Sequence, residues 1–190
     1  MRRTQILDAY EGCVLDYGLE ATALEAIADR AGMKRSVVRH YMGNRADLRR
    51  ALVERIIARA TSAYDDGIAD QRRAGGISGV IDYIAGPEFP DERDDALIDA
   101  LFAASHTDHD VRAQLRGRYE AFQKAVAREL SAAFPEADES QVGSVAYALV
   151  CLAYGSASMQ DLGIPYRRLG DVRTAAAALV AGTLGEQAEG

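Results

Sequence analysis

Apolar residues recur every three or four positions along this chain, and glycine, proline or asparagine separates the periodic segments. In the first segment the apolar stripe comprises Ile6, Leu7, Tyr10, Val14 and Leu15, and Gly18 follows it. No stretch alternates apolar and polar residues over the roughly four to eight positions that a half-buried strand needs. The pattern therefore predicts an all-α protein of about nine helices and argues against folds built on a sheet.

Capping residues and turns predict where the helices begin and end. Thr22 with Glu25 three positions later forms a capping box, which predicts the start of a second helix that stops at Gly32. Asn44 is suited to cap a long fourth helix, which the pair Gly75-Gly76 breaks. The third helix is predicted over residues 34–41, and later helices over 77–85, 91–106, 108–134, 138–161 and 167–184, with a Gly-Pro-Glu-Phe-Pro-Asp loop at 86–91.

Charge is divided unevenly along the chain, whose net charge is −7. Residues 1–60 contain 11 Lys/Arg and 8 Asp/Glu, whereas residues 61–190 contain 11 Lys/Arg and 21 Asp/Glu. Within residues 30–59 there are 9 basic and 2 acidic residues, an excess of +7. This asymmetry predicts an N-terminal part that faces a polyanion, attached to an acidic body.

The basic excess coincides with the short third helix. Two helices joined by a short turn that contains glycine can cross so that the second exposes its N-terminal residues, and such a helix fits the DNA major groove. Val38 and Met42 share one face and are predicted to pack inward. The outward residues are then Lys34, Arg35, Ser36, Val37, Arg39, His40 and Tyr41. The alternative is an ordinary solvated basic face, which would leave Val37 and Tyr41 exposed without a role.

The order of residues from Thr4 to Leu48 resembles the N-terminal domain of the tetracycline-repressor (TetR) family of transcriptional regulators. The matching run is ILDAYEGCVLDYGLEATALEAIADRAGMKRSVVRHYMGNRADL, about a quarter of the chain. Its points of similarity are Ile6-Leu7-Asp8-Ala9, Gly18, Ala21-Thr22, Ile27-Ala28, Ala31-Gly32, the aromatic and basic end of the third helix, Asn44-Arg45 and Leu48. The resemblance implies a helix-turn-helix DNA-binding domain at 1–45 and a helical effector-binding and dimerisation domain at 46–190.

The same resemblance implies roles for single residues. Thr22, Tyr41 and Arg45 would contact phosphates, and Arg35, Ser36, Val37 and Arg39 would reach base edges. Lys34 stands where the family usually has a capping serine, Arg39 where it usually has tyrosine, and Met42 where it usually has phenylalanine. Because arginine can present two donors to guanine O6 and N7, we expect a half-site that contains guanine. Arg2 and Arg3 could form a flexible arm on the DNA or could be stray terminal charge.

The remainder of the chain contains a candidate surface for a homodimer. A single recognition helix covers few base pairs, so two copies would read a palindromic operator. The last two helices are the expected dimer surface, since small residues permit close approach; these are Ala146, Ala148, Ala153, Gly155, Ala157 and Ala175 to Ala178, with Leu149, Leu152, Leu179 and Val180 adding apolar area. The same residues could instead form intramolecular core.

Aromatic and polarizable residues recur in the middle of the chain. They could be core, or they could line a pocket for an apolar or aromatic effector. The candidate pocket residues are Tyr83, Phe102, Tyr119, Phe122, Tyr147, Cys151 and Tyr154, and Phe89 and Met159 belong to the same recurring set. The resemblance favours a ligand-responsive repressor; the alternative function is a helical small-molecule-binding protein without operator binding.

Several other classes of function find little support in the sequence. There is no Gly-rich phosphate loop, GxSxG, HExxH or Cys-x-x-Cys motif, so we expect neither an enzyme nor a cofactor. His106 and His109 lack further ligands, and no metal site is expected. Cys13 and Cys151 are predicted to be buried thiols, as in a cytoplasmic protein. The uncharged segment from Ser140 to Gln160 is better explained by a buried or dimer helix than by a membrane span.

Overall fold

A computed structural model describes residues 1–85, 92–164 and 169–185, and these residues form helices and connecting turns without a strand. The helices are α1 Arg2–Tyr17, α2 Leu24–Arg30, α3 Arg35–Met42, α4 Arg45–Ile84, α5 Glu92–Ser105, α6 His109–Ala133, α7 Glu139–Asp161 and α8 Leu169–Leu184. The all-α prediction is confirmed, and the helix bounds lie close to those predicted. The predicted loop at 86–91, with Phe89, lies outside the described residues.

The predicted break in the fourth helix is confirmed at the glycine pair. Gly75 and Gly76 leave helical geometry, with φ −141° and ψ 17° at the first and φ 58° and ψ −146° at the second. A positive φ is readily accessible to glycine because it has no Cβ. The interruption divides α4, so the described residues contain nine helical segments.

The chain divides into two compact units. Unit 1 comprises Met1–Ala60 and Glu92–Gly117, and unit 2 comprises Thr61–Asp91 and Arg118–Gly190. Unit 1 contains the whole predicted DNA-binding domain together with α5 and the beginning of α6. The functional boundary at residue 45 stays a prediction. The packing unit that contains α1–α3 includes more of the chain than residues 1–45.

In unit 1, α1 lies against α2, α3 and α5. Most of its predicted stripe is buried, and Ile6, Tyr10 and Val14 are each at most 3% exposed. The prediction is wrong for Leu15, which is 40% exposed. Ile27 of α2 and Val38 of α3 are also fully enclosed. Burial of large aliphatic side chains contributes on the order of 1.5–3 kcal/mol each, so this core is what keeps the two short helices in place.

A buried carboxylate also ties α1 to α4 and α5. Glu11 is only 2% exposed, and Arg59 Nη1 donates to its Oε1 at 2.9 Å. Arg59 Nε donates to both carboxylate oxygens of Asp94, at 2.9 and 3.1 Å. These hydrogen bonds raise the pKa of the Arg59 guanidinium further above its usual range. Arg55 adds a second contact to Glu11 at 3.3 Å.

Unit 2 has its own core, in which α7 packs on α8. The largest enclosed side chains include Val80, Val126, Leu130 and Leu149. The stretch Glu139–Met159 is the one segment of the described residues long and apolar enough to cross a membrane, with mean hydropathy 1.4. Because Ala146, Leu149 and Ala153 of α7 lie in this core, packing within unit 2 accounts for part of its apolar character.

Candidate nucleic-acid interface

The turn between α2 and α3 is built on a glycine. Gly32 has φ 63°, and the Met33 amide donates to Ala28 O at 2.9 Å, which closes the end of α2. Lys34 follows with extended geometry, φ −75° and ψ 146°, and makes no side-chain cap. The N-terminus of α3 therefore starts without an internal capping oxygen, as the lysine at this position predicts, and its free amide groups favour an anion.

The orientation of α3 is as predicted. Val38 and Met42 are 0% and 4% exposed and anchor the helix in the core of unit 1. Lys34, Arg35, Ser36, Arg39, His40 and Tyr41 are exposed, and Val37 is half-buried. Tyr41 retains 40% of its surface, with its ring edge-on to His40 at 5.1 Å between centroids. A cationic and aromatic face of the helix is thus open to a partner.

Most cations within residues 30–59 are already paired with carboxylates. Arg30 pairs with Asp16, Arg49 with Glu20 and Asp108, and Arg50 with Asp47, while Arg55 and Arg59 hold Glu11. Arg35 has one exposed ion pair, with Glu25 at 2.7 Å. By contrast, Lys34 and Arg39 form no ion pair with any residue that the structure describes. The unpaired positive charge of residues 30–59 therefore includes two residues at α3, Lys34 at its N-cap and Arg39 within it.

A groove of about 650 Å³ runs beside this face of α3. It is lined by Ala23, Leu24, Glu25, Arg35, Arg39, Gly43, Asn44 and Arg45. Arg45 Nη2 donates weakly to Glu20 O at 3.4 Å, so its charge remains uncompensated by a carboxylate. Three arginines thus line one groove, with one carboxylate among them.

The start of α4 positions Arg45 through a reciprocal cap. The Asp47 amide donates to Asn44 Oδ1 at 3.0 Å, and the Asn44 amide donates to Asp47 Oδ2 at 3.1 Å. The predicted cap at Asn44 is confirmed, and Asp47 completes it. Gly43, with φ 80°, supplies the preceding turn.

The N-terminal arginines do not form an arm in this structure. Both lie in α1, and Arg3 Nη1 donates to Tyr41 O at 2.9 Å, at the end of α3. A cation at that end complements the helix dipole. Arg3 thus braces α3, a role that neither interpretation of the sequence included.

The capping box at Thr22 is wrong. Helix α2 begins at Leu24, and its N-cap is Ala23, which makes no side-chain cap. Thr22 is 2% exposed, and its hydroxyl donates to Gly18 O at 2.7 Å. Because that hydroxyl is enclosed and already bonded, Thr22 is not open to the predicted phosphate contact.

Arg49 is a bracing residue that sequence reasoning did not single out. Its Nη2 lies 2.6 Å from Glu20 Oε1 and 2.9 Å from Asp108 Oδ2. Asp108 Oδ1 in turn accepts from the amides of Asp110 and Val111, capping α6 at 2.9 and 3.1 Å. The hydrogen bond from Arg49 lowers the pKa of Glu20. Its partners lie far from it in sequence, as with Glu20 at 29 positions, so Arg49 gave no signal in the sequence beyond its charge.

The candidate effector residues are divided between the two units. Tyr83, Tyr119, Phe122 and Tyr154 belong to unit 2, whereas Phe102 belongs to unit 1. Tyr147 is 61% exposed and Cys151 is also exposed, so these two do not line an enclosed pocket within unit 2. The prediction of a buried thiol is confirmed for Cys13 and wrong for Cys151. The residue that sequence reasoning missed beside these aromatics is Arg118, 3% exposed.

Comparison with known proteins identifies the fold. No family model matches the sequence, and no curated protein matches it significantly. A TetR transcription regulator from Haloarcula marismortui superposes with a TM-score of 0.76 at 14% identity, covering 96% of this chain and 98% of that one. GusR of Salmonella enterica gives 0.71 at 18% identity, covering 96% and 95%.

A third solved structure has a similar relation. NalD, the secondary repressor of the MexAB-OprM multidrug efflux pump in Pseudomonas aeruginosa, gives a TM-score of 0.64 at 14% identity, covering 100% and 98%. The chain therefore has the TetR-regulator fold over nearly its whole length. The resemblance drawn from residues 4–48 is confirmed at the level of the fold.

Proposed function

We propose that this protein is a sequence-specific DNA-binding transcriptional regulator in which α3 is the recognition helix. The observation that carries the proposal is that Lys34 and Arg39 are exposed and unpaired on a helix anchored by Val38 and Met42. An ordinary solvated basic face does not explain why Lys34 and Arg39 are unpaired while most arginines of residues 30–59 pair with carboxylates.

In the proposed complex each exposed residue of α3 has a distinct task. Lys34 lies at the helix N-terminus, where ammonium and amide groups both attract a phosphate. Arg35 and Arg39 reach base edges with Ser36 and Val37, and either guanidinium could address guanine for about 1–3 kcal/mol of discrimination. Tyr41 and Arg45 contact phosphates on either side and fix the register.

We further propose a homodimer through α7 and α8. Ala146, Leu149, Ala153 and Val180 lie in the core of unit 2, so these members of the predicted surface serve the intramolecular alternative. Of the predicted surface, Ala175, Ala177 and Ala178 are exposed on α8. Tyr147, Cys151 and Tyr154, which the sequence analysis assigned to the candidate pocket, are exposed on α7. Small residues beside exposed tyrosines suit close contact between helices of two copies, which would place two recognition helices about 34–36 Å apart on a palindrome.

A small-molecule effector bound in unit 2 would regulate operator binding. Such control requires that the effector favour one of two conformations, since equal affinity for both would change nothing. A regulator of this kind would work in the cytoplasm, where it meets DNA. Repression is the simplest outcome, because an occupied palindrome excludes other proteins.

Selection of bound duplexes from random DNA with the full chain tests the proposal. We expect a palindrome with guanine under the recognition helix. For about eight neutralised phosphates, log K should fall with log salt at a slope near −7. Absence of binding to every duplex in dilute buffer would overturn the proposal and would favour a helical ligand-binding protein without operator binding.

A further inference from the structure

Arg118 of unit 2 is buried without a counter-charge among the described residues. Arg118 lies on α6 and is 3% exposed. Its Nη2 donates to the phenolic oxygen of Tyr64. Its Nε and Nη1 are enclosed and have no hydrogen-bond partner, and no described carboxylate pairs with it. A buried guanidinium that lacks an anion is costly, because neither desolvation nor the N–H donors are compensated.

Aromatic rings surround this guanidinium. Its central carbon lies 4.4 Å from the ring centroid of Tyr64 and 4.8 Å from that of Tyr119. Phe122 packs on Tyr64 at 4.9 Å between centroids, and Tyr154 meets Tyr119 edge-on at 6.2 Å. Ring faces attract a cation, but they provide no acceptor for Nε and Nη1. The site thus combines one fixed positive charge with an apolar wall.

The tyrosines do not supply the missing negative charge. Burial raises the pKa of Tyr119 well above its usual range, and Arg118 only partly opposes this shift. The phenol therefore stays neutral at physiological pH. Arginine cannot relieve the imbalance by losing its proton either, since the guanidinium stays charged in proteins. Since no described residue supplies a negative charge to this guanidinium, an external anion would pair it.

We propose that Arg118 binds the carboxylate of a small organic monoanion whose apolar or aromatic body lies against Tyr119, Phe122 and Tyr154. Nε–H or Nη1–H donates to a carboxylate oxygen, and a single negative charge neutralises the single guanidinium. Phosphate fits less well, because a dianion would retain an unpaired charge in this apolar site. Tyr154 is 37% exposed and connects the cluster to the surface of unit 2. That this anion is the regulatory effector rests on the proposed function; the binding site itself does not.

Matched probes test the charge requirement on the full-length protein. Benzoate and octanoate are compared with benzamide and octanamide, which keep the shape and remove the charge, and with chloride at constant ionic strength. We expect at least one carboxylate to raise the thermal midpoint by about 5 °C when present at a hundredfold excess over its Kd. Its amide and chloride should leave the midpoint unchanged. Failure of both carboxylates, or equal shifts with amide or chloride, would overturn the proposal.

Substitution of the arginine separates a ligand site from a structural role. Arg118→Met should abolish the carboxylate shift while leaving the ligand-free midpoint equal or higher, because an apolar side chain replaces an unpaired charge. Arg128→Met, at an exposed position of the same helix, is the control and should preserve the carboxylate shift. A ligand-free midpoint that falls by about 5 °C or more in Arg118→Met would mean that the arginine holds the fold instead.

Duplex binding measured in parallel distinguishes the two proposals. If carboxylates stabilise the chain through Arg118 but no duplex binds, the ligand site stands and the regulator function fails. If a duplex binds but no carboxylate acts through Arg118, the regulator stands and the ligand class is wrong.

Discussion

Two arginine-rich regions of unit 1 differ in what their charges contact. Along residues 49–59 of α4, three arginines contact carboxylates outside α4, as with Arg59 on Glu11 and Asp94. Arg50 pairs instead with Asp47 of α4 itself. On α3, Lys34 and Arg39 have no such match within the described residues. The two regions look alike when basic residues are counted. Whether a cation is paired, and not how many cations a segment has, distinguishes one that stabilises the fold from one that is open to a partner.

Removing an arginine from the paired region of α4 should lower the free energy of unfolding more than the other changes considered. Arg59→Met takes the 2.9 Å contact away from buried Glu11 and removes the ion-pair partner of Asp94. Loss of one member of a buried ion pair costs about 3 kcal/mol, since it strands an uncompensated charge. Urea denaturation of the variant measures this loss. Arg50→Met, which removes only an exposed pair, should change the free energy of unfolding by less than about 0.5 kcal/mol.

The free region should instead show its effect on DNA. Arg39→Ala is expected to lose about 1–3 kcal/mol of discrimination between the preferred and a mutated half-site, because the side chain that reads the base is gone. Fluorescence anisotropy with both duplexes measures the ratio, and the thermal midpoint should hardly change. If Arg39→Ala keeps full discrimination, α3 does not read sequence through this position.

Arg45 should act on affinity without acting on sequence preference. Its guanidinium lies in the same groove as Arg39 but belongs to α4, at the position assigned to phosphate. Arg45→Ala should weaken all duplexes alike and reduce the magnitude of the salt slope by about 1. Titrations at several salt concentrations provide the measurement. A selective loss on one sequence would show that Arg45 reads bases after all.

Sequence reasoning succeeded where one local interaction determines the structure. The orientation of α3 follows from Val38 and Met42 at helical spacing, and the cap at Asn44 and the break at Gly75-Gly76 follow from side-chain chemistry and backbone freedom. The prediction failed at Thr22, where burial and the bond to Gly18 O replaced the expected cap. It also placed Tyr147 and Cys151 in a pocket, since helical spacing alone does not fix which face of a partly covered helix is enclosed.

Long-range pairing was the part that no local pattern could supply. Glu11 and Arg59 are separated by 48 positions, and Arg118 and Tyr64 by 54. A count of charges in residues 30–59 treats Arg59 and Arg39 as equivalent, because their partners or lack of partners depend on how distant segments meet. The same limit hid Arg118, one basic residue among several on α6, until its surroundings were known.

The smallest expected effect concerns the ion pair between Arg49 and Glu20, which a change of pH can test. The pKa of Glu20 is lowered from its usual 4.5 by the hydrogen bond with Arg49, so the folded state binds this proton more weakly than the unfolded chain does. The stabilisation is therefore present above the unfolded pKa and is lost as pH falls through the folded pKa. Glu20→Gln should be less stable than the native protein near pH 7, by no more than about 1 kcal/mol since the carboxylate is largely exposed. The difference should vanish in acid. Urea denaturation of both proteins between pH 7 and pH 3 measures it, and a difference that persists unchanged at low pH would show that Glu20 acts through packing and not through its charge.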